Sequence, residues 1–255
     1  MLYNFFDKIY CINLKHRQDR YISANKIFKD LNIPNVEFYF AEKSAKGGRY
    51  GCFESHINVI KKAYNSGCNN ILIFEDDLRP SIFYNLNLLE ESIEFMKNND
   101  WDVFYLGYFI IDDNLKIFES LNKKGNILKF NACATHALCL NKKSMKKILN
   151  IYEDYIDKIH YDRFLSHNIF NNYVITPMIF EQFYCSPIDN SIHGNLDYLT
   201  RQSQCIVNDY IHLNSLLSYI YYFFNKYNFY ILLIIIIIIL IFLYHFYRKK
   251  KLIII

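Results

Sequence analysis

The sequence predicts an α/β fold, a mainly parallel sheet flanked by helices, with one apolar helix near the C-terminus. Three observations point there. Short apolar runs alternate with amphipathic stretches through residues 1–205, the pattern of strand–helix–strand units. The run ILIF at 71–74 has no polar face, as expected of a central strand covered on both sides. Residues 229–247, FYILLIIIIIILIFLYHFY, carry no charge and end at the basic cluster 248–251. At about 1.5 Å per residue such a helix spans the roughly 30 Å of a bilayer core.

The elements follow in order. KIYCINL (8–14) turns from apolar to polar at its end and reads as a strand. In RYISANKIFKDLNI (20–33), Ile22, Ile27 and Leu31 recur at roughly helical spacing before Pro34 stops the helix. VEFYFA (36–41) is a second strand. CFESHINVIKKAYNSG (52–67) is a helix closed by Gly67, the residue best suited to a left-handed cap. NILIF (70–74), DVFYLG (102–107) and THALCL (135–140) are further strands, and NKKSMKKILNIY (141–152) is an amphipathic helix. Residues 1–205 form the expected globular domain, 206–228 a juxtamembrane segment, 229–247 a transmembrane helix and 248–255 a basic and apolar tail. The anchor is expected to be a single pass, with the domain on the cytosolic side.

Composition narrows the function. The 255 residues are 52% apolar with a net charge of only +4, and the basic residues are spread along the chain, which argues against a nucleic-acid binder. The seven cysteines show no CxxC spacing, so reduced thiols rather than a zinc finger are expected.

The stretch ILIFEDDLRP (71–80) raises the chemical question. Glu75, Asp76 and Asp77 are adjacent at the carboxyl end of an apolar strand, where α/β folds bind ligands. Each charge makes its neighbours harder to ionise, so a site there needs a compensating cation. Oxygen ligands without a nearby cysteine suit Mg²⁺ or Mn²⁺, whose shell a nucleotide diphosphate would complete. A solvated acidic turn is the plain alternative.

Six segments in order, INLKHRQDR (12–20), GCFESH (51–56), ILIFEDDLRP (71–80), DWDVFYLG (100–107), THALCLNKKSMKKIL (135–149) and YDRFL (161–165), resemble glycosyltransferase family 25, which includes procollagen galactosyltransferases and bacterial lipopolysaccharide glycosyltransferases. The resemblance implies a GT-A-like, Rossmann-type fold, a UDP-sugar donor, a divalent metal (Mn²⁺ or Mg²⁺) and a glycan, protein or lipid-linked acceptor. It also implies that the acidic triplet takes the place of a DXD-type motif. Asp77 is then the expected metal ligand, with Asp76 and Glu75 at the ribose and around the ion. Asn13, Arg17 and Arg20 are expected at the nucleotide, and His193 as a further metal ligand. Asp162 is the expected catalytic base, and His56 a second catalytic candidate. An inactive GT-A-like module that binds nucleotide-sugar or glycan on a membrane anchor is the alternative reading.

Overall fold

The computed structural model describes residues 2–109, 126–129, 131–167 and 169–182, and in the C-terminal region Leu216, Ile220, Ile234 and 236–241. A seven-stranded sheet organises the domain. Its strands are β1 (Lys8–Leu14), β2 (Val36–Ala41), β3 (Asn70–Glu75), β5 (Val103–Phe109), β6 (Ile127–Lys129), β7 (Cys133–Asn141) and β8 (Asn172–Ile175), in the order β2-β1-β3-β7-β5-β8-β6. A separate ribbon pairs β4 (Leu78–Pro80) with β9 (Phe180–Gln182). The helices are α1 (Gln18–Asp30), α2 (Gly48–Asn65), α3 (Leu86–Asn98), α4 (Lys142–Ile151) and the short α5 (Tyr161–Leu165).

Strand alternation builds two cores. Ile71 and Ile73, Val103 and Tyr105, Leu138 and Leu140 face one layer, which α2, α4 and α5 cover with Phe53, Ile57, Ile148 and Phe164. The intervening Leu72 and Phe74, Phe104 and Leu106, Ala137 and Cys139 face the other, covered by Phe28 of α1 and by Leu89 and Ile93 of α3. A continuous apolar run is what a strand buried on both faces requires.

The strands and helices predicted between residues 8 and 152 are present, with α2 starting earlier than expected. Gly67 closes α2 at φ +79°, and the bonds Gly67 N–H to Tyr64 O and Cys68 N–H to Ala63 O satisfy its last carbonyls. The helix α3 was not foreseen; Asn85 caps it by accepting from the Asn87 N–H at 2.9 Å.

The sheet is less uniformly parallel than strand–helix alternation implied. β1 pairs in parallel with β2 and β3, and β5 with β8, but β7 runs antiparallel between β3 and β5. In the described residues β6, not a crossover helix, precedes β7, and a parallel return would need such a crossover. The inversion brings the start of β7 to the same edge as the carboxyl ends of β1 and β3. Gly107 on β5 allows a close approach there: a Cβ would lie 2.3 Å from His136 Nε2 and 2.5 Å from the Phe180 carbonyl oxygen.

Among the described residues no helix is long and apolar enough to cross a membrane. Most of the expected 229–247 span lies outside them; Ile234 and 236–241 within it are helical and exposed.

Candidate active site

Three chain segments meet at one edge of the sheet. β1 and β3 are adjacent and parallel, with Ile12 opposite Glu75, so Asn13 and the acidic triplet emerge side by side. β7 begins there, with Ala137 opposite Phe74, which brings Thr135 to the triplet. α1 starts just beyond β1 and carries Arg20 in its first turn.

The triplet divides into two environments. Glu75 Oε1 accepts from Thr135 Oγ1 at 2.6 Å and bonds His56 Nε2 at 3.0 Å. The His56 ring stacks on Tyr161, centroids 4.3 Å apart and planes 19° apart. Burial opposes the ionisation of Glu75, but the His56 hydrogen bond and charge, with Thr135, outweigh it and hold the carboxyl below its ordinary value.

Asp76 and Asp77 face α1 and β9 instead. Asn13 Nδ2 donates to Asp76 Oδ2 at 2.6 Å, and Arg20 donates to Asp76 Oδ1 at 2.9 Å and to Asp77 Oδ2 at 3.4 Å. Gln182 Nε2 donates to Asp77 Oδ2 at 2.8 Å. Burial raises Asp76 despite Arg20. Burial and the charges of Glu75 and Asp76 push Asp77 up to about 7, against the pull of Arg20 and Gln182. The compensating cation demanded by three adjacent carboxylates is thus supplied, within the protein itself, by Arg20 beside Asp76 and Asp77.

Asp77 Oδ1 is buried and has no hydrogen-bond partner, and Asn13 Oδ1 is likewise an unpaired buried acceptor. A hard divalent cation fits the Asp77 oxygen: it supplies the missing partner and offsets the repulsion that raises the carboxyl's pKa. Asp76 has both oxygens engaged, which suits a place around such an ion. Arg17 is held by Asp19, at 2.8 Å from Nε and 2.6 Å from a terminal nitrogen.

Asp162 stands at the start of α5. Its Oδ2 accepts from the Ala134 N–H at 3.3 Å and its Oδ1 from the Arg163 N–H at 2.7 Å. Ala134 adopts φ +67°, a left-handed conformation unfavourable to alanine; such strain is commonest where a site over-determines the backbone. His56 is only 1% exposed and lies against Glu75, bonded to it. His193 lies outside the described residues. His136 is a buried strand residue whose Nε2 lies 3.4 Å from the Phe180 carbonyl oxygen.

Sequence reasoning missed Thr135 and Gln182. Thr135 lies inside a quoted motif beside His136, so it was within reach. Gln182 has no local signal, since only the long-range pairing of β4 with β9 brings it to Asp77.

Comparison with known proteins finds one family over the middle of the chain. The family model described as Glycosyltransferase family 25 (LPS biosynthesis protein) matches residues 37–165, a stretch that holds α2, the acidic triplet, Thr135 and Asp162. Procollagen galactosyltransferase 1-A of Xenopus laevis is 30% identical over 130 residues, covering 40% of this chain and 21% of that protein. Human procollagen galactosyltransferase 2 is 27% identical over 130 residues, with the same coverage. The human inactive glycosyltransferase 25 family member 3 is 25% identical over 130 residues, covering 40% of this chain and 22% of that protein. The matched stretch is thus about a fifth of these relatives' length. Among solved structures, that of a glycosyltransferase involved in the glycosylation of the major capsid of PBCV-1 is 8% identical with a TM-score of 0.47, covering 78% of this chain and 98% of that one.

Proposed function

This chain belongs to glycosyltransferase family 25, and from that premise we propose that it is a metal-dependent glycosyltransferase. It moves a sugar, galactose or glucose, from a UDP-sugar to a hydroxyl on a protein, glycan or lipid-linked acceptor. The observation that carries the reading is Asp77: a buried carboxyl group with one unpaired oxygen and a raised pKa, at the carboxyl edge of β1 and β3.

In this reading Asp77 holds Mn²⁺ or Mg²⁺ with Asp76 beside it, while Glu75 turns to Thr135 and His56 instead. The ion, once bound, offsets the negative charge that develops on the departing diphosphate. Arg20 spans Asp76 and Asp77, and its guanidinium is placed to turn toward phosphate oxygens, a geometry arginine matches well. Asn13 fixes Asp76 and offers its own oxygen to a ligand donor. Asp162, held by two backbone N–H groups, takes the proton of the acceptor hydroxyl. His56 acts through Glu75, as a positioning residue. Holding donor and acceptor in line supplies much of the acceleration. The exposed helical residues Ile234 and 236–241 support the further proposal that 229–247 anchors the domain in a membrane.

The test is UDP release by the full chain in detergent, with Mn²⁺ and UDP-galactose or UDP-glucose, with and without acceptor. Release that depends on the metal and is lost in Asp77→Asn is expected. Donor binding without release would favour the inactive nucleotide-sugar-binding module, and neither binding nor release would overturn both readings.

A further inference from the structure

Glu75 faces away from the proposed donor-metal site, toward a second set of donors. Cys52 and His56 are four residues apart on α2, so they share one face of the helix. Both turn inward beneath the end of β3. Sulfur of Cys52, a ring nitrogen of His56 and a carboxylate oxygen of Glu75 all lie within 4.8 Å of one another. We propose that Cys52, His56 and Glu75 form a binding site for a thiophilic divalent cation of the Zn²⁺ class, distinct from the oxygen-only site at Asp77.

The donor chemistry selects the ion. A thiolate, an imidazole and a carboxylate are the ligand types zinc takes up, commonly three from the protein with one position left open. Mg²⁺ and Mn²⁺ prefer oxygen alone. The surroundings are those of a supported site. Thr135 donates to the Glu75 carboxylate and Tyr161 holds the His56 ring by stacking, and outer partners that orient ligands in this way sustain metal affinity. His56 Nδ1 is buried without a partner, on a side chain 1% exposed. The Glu75 side chain keeps 21% of its surface, which opens a path for the ion. Binding exchanges one proton: the Cys52 thiol loses its hydrogen to solvent as sulfur becomes a ligand. If the ion takes Nε2 of His56, the ring proton moves to Nδ1 with no net change.

The site adjoins the donor edge, since Glu75 and Asp77 lie on the same strand end.

Co²⁺ is the probe, added to the full chain in detergent with all thiols reduced. The expected result is thiolate-to-cobalt charge-transfer absorption in the near ultraviolet, saturating at one ion per chain and displaced by Zn²⁺. The absorption disappears in Cys52→Ser, persists in Asp77→Asn and persists in Cys68→Ser. Zn²⁺ affinity falls by more than about 100-fold in Cys52→Ser, since even outer-shell partners are worth about 10- to 100-fold. His56→Gln is the second variant and gives the same loss if Cys52→Ser unfolds. Absence of the thiolate band, or an unchanged band in folded Cys52→Ser or His56→Gln, overturns the proposal. No sugar donor enters the experiment, so its failure is distinct from failure of the transferase reading.

Discussion

Glu75 and Asp77 stand two residues apart on one strand end, yet their carboxyl groups are driven in opposite directions. Both are mostly removed from water. Glu75 meets an imidazole and a hydroxyl and stays ionised. Asp77 shares Arg20 with Asp76, keeps one oxygen unpaired and is pushed to about 7. Glu75 takes two donors on one oxygen, from Thr135 and His56, whereas Asp77 is opposed by the charges of Glu75 and Asp76 and keeps one buried oxygen without a donor. An unpaired buried oxygen on an anionic cluster is a place where a cation gains most.

The largest test of this contrast is Asp77→Asn. Metal-dependent UDP release should fall by about 10²- to 10³-fold, the usual cost of removing one electrostatic group from a transfer site. Stability of the metal-free protein should respond the other way. The folded Asp77 pKa of about 7 lies above its ordinary 3.8, so the folded state binds the extra proton between those values. Its contribution to stability is present below about pH 4 and is lost as pH rises toward 7. Asp77→Asn should flatten that decline in a melting series from pH 4 to pH 8, and Mn²⁺ should lift the wild type chiefly at the alkaline end.

Arg20→Met ranks next. It leaves Asp76 and Asp77 without their guanidinium, and breaking a mostly buried ion pair typically costs about 3–5 kcal/mol. The Arg20 side chain is 18% exposed, so about 3 kcal/mol is expected, larger at pH 8 than at pH 5, as read from denaturant midpoints. Thr135→Val sharpens the other half. It removes one of the two donors on Glu75 at a cost of about 1.5–3 kcal/mol, and it shifts acid unfolding to higher pH. Glu75, with its lowered folded pKa, contributes stability above its ordinary 4.5 that disappears as pH falls. Gln182→Ala has the smallest effect, about 1 kcal/mol, and a further rise of the Asp77 pKa detectable by carboxyl NMR titration.

These contrasts also mark what the sequence could disclose. The apolar run 71–74 ending in three carboxylates was enough to locate a strand end and a demand for positive charge, because burial on both faces and charge repulsion are local facts. Gly67 announced a helix end for the same reason: its left-handed cap depends on adjacent residues alone. The antiparallel β7 was not legible, since THALCL is equally apolar in either direction and only its partners decide. The partners of the triplet were hidden likewise. Arg20 was expected at the nucleotide, but its pairing with Asp76 and Asp77 was not legible. His56 was a catalytic candidate, but its bond to Glu75 was not legible either. The absence of CxxC spacing said nothing about Cys52, because its neighbours are one helical turn away and on another strand. Gln182 arrives through a ribbon of two three-residue strands, too short to recognise by periodicity.

Calorimetric titration of Mn²⁺ into the full chain at pH 6 and pH 8, in two buffers of different ionisation enthalpy, tests the central claim most directly. Binding should tighten from pH 6 to pH 8, release a proton at the lower pH as Asp77 ionises, and vanish in Asp77→Asn. Binding of equal strength in Asp77→Asn, with no proton released, would contradict the account.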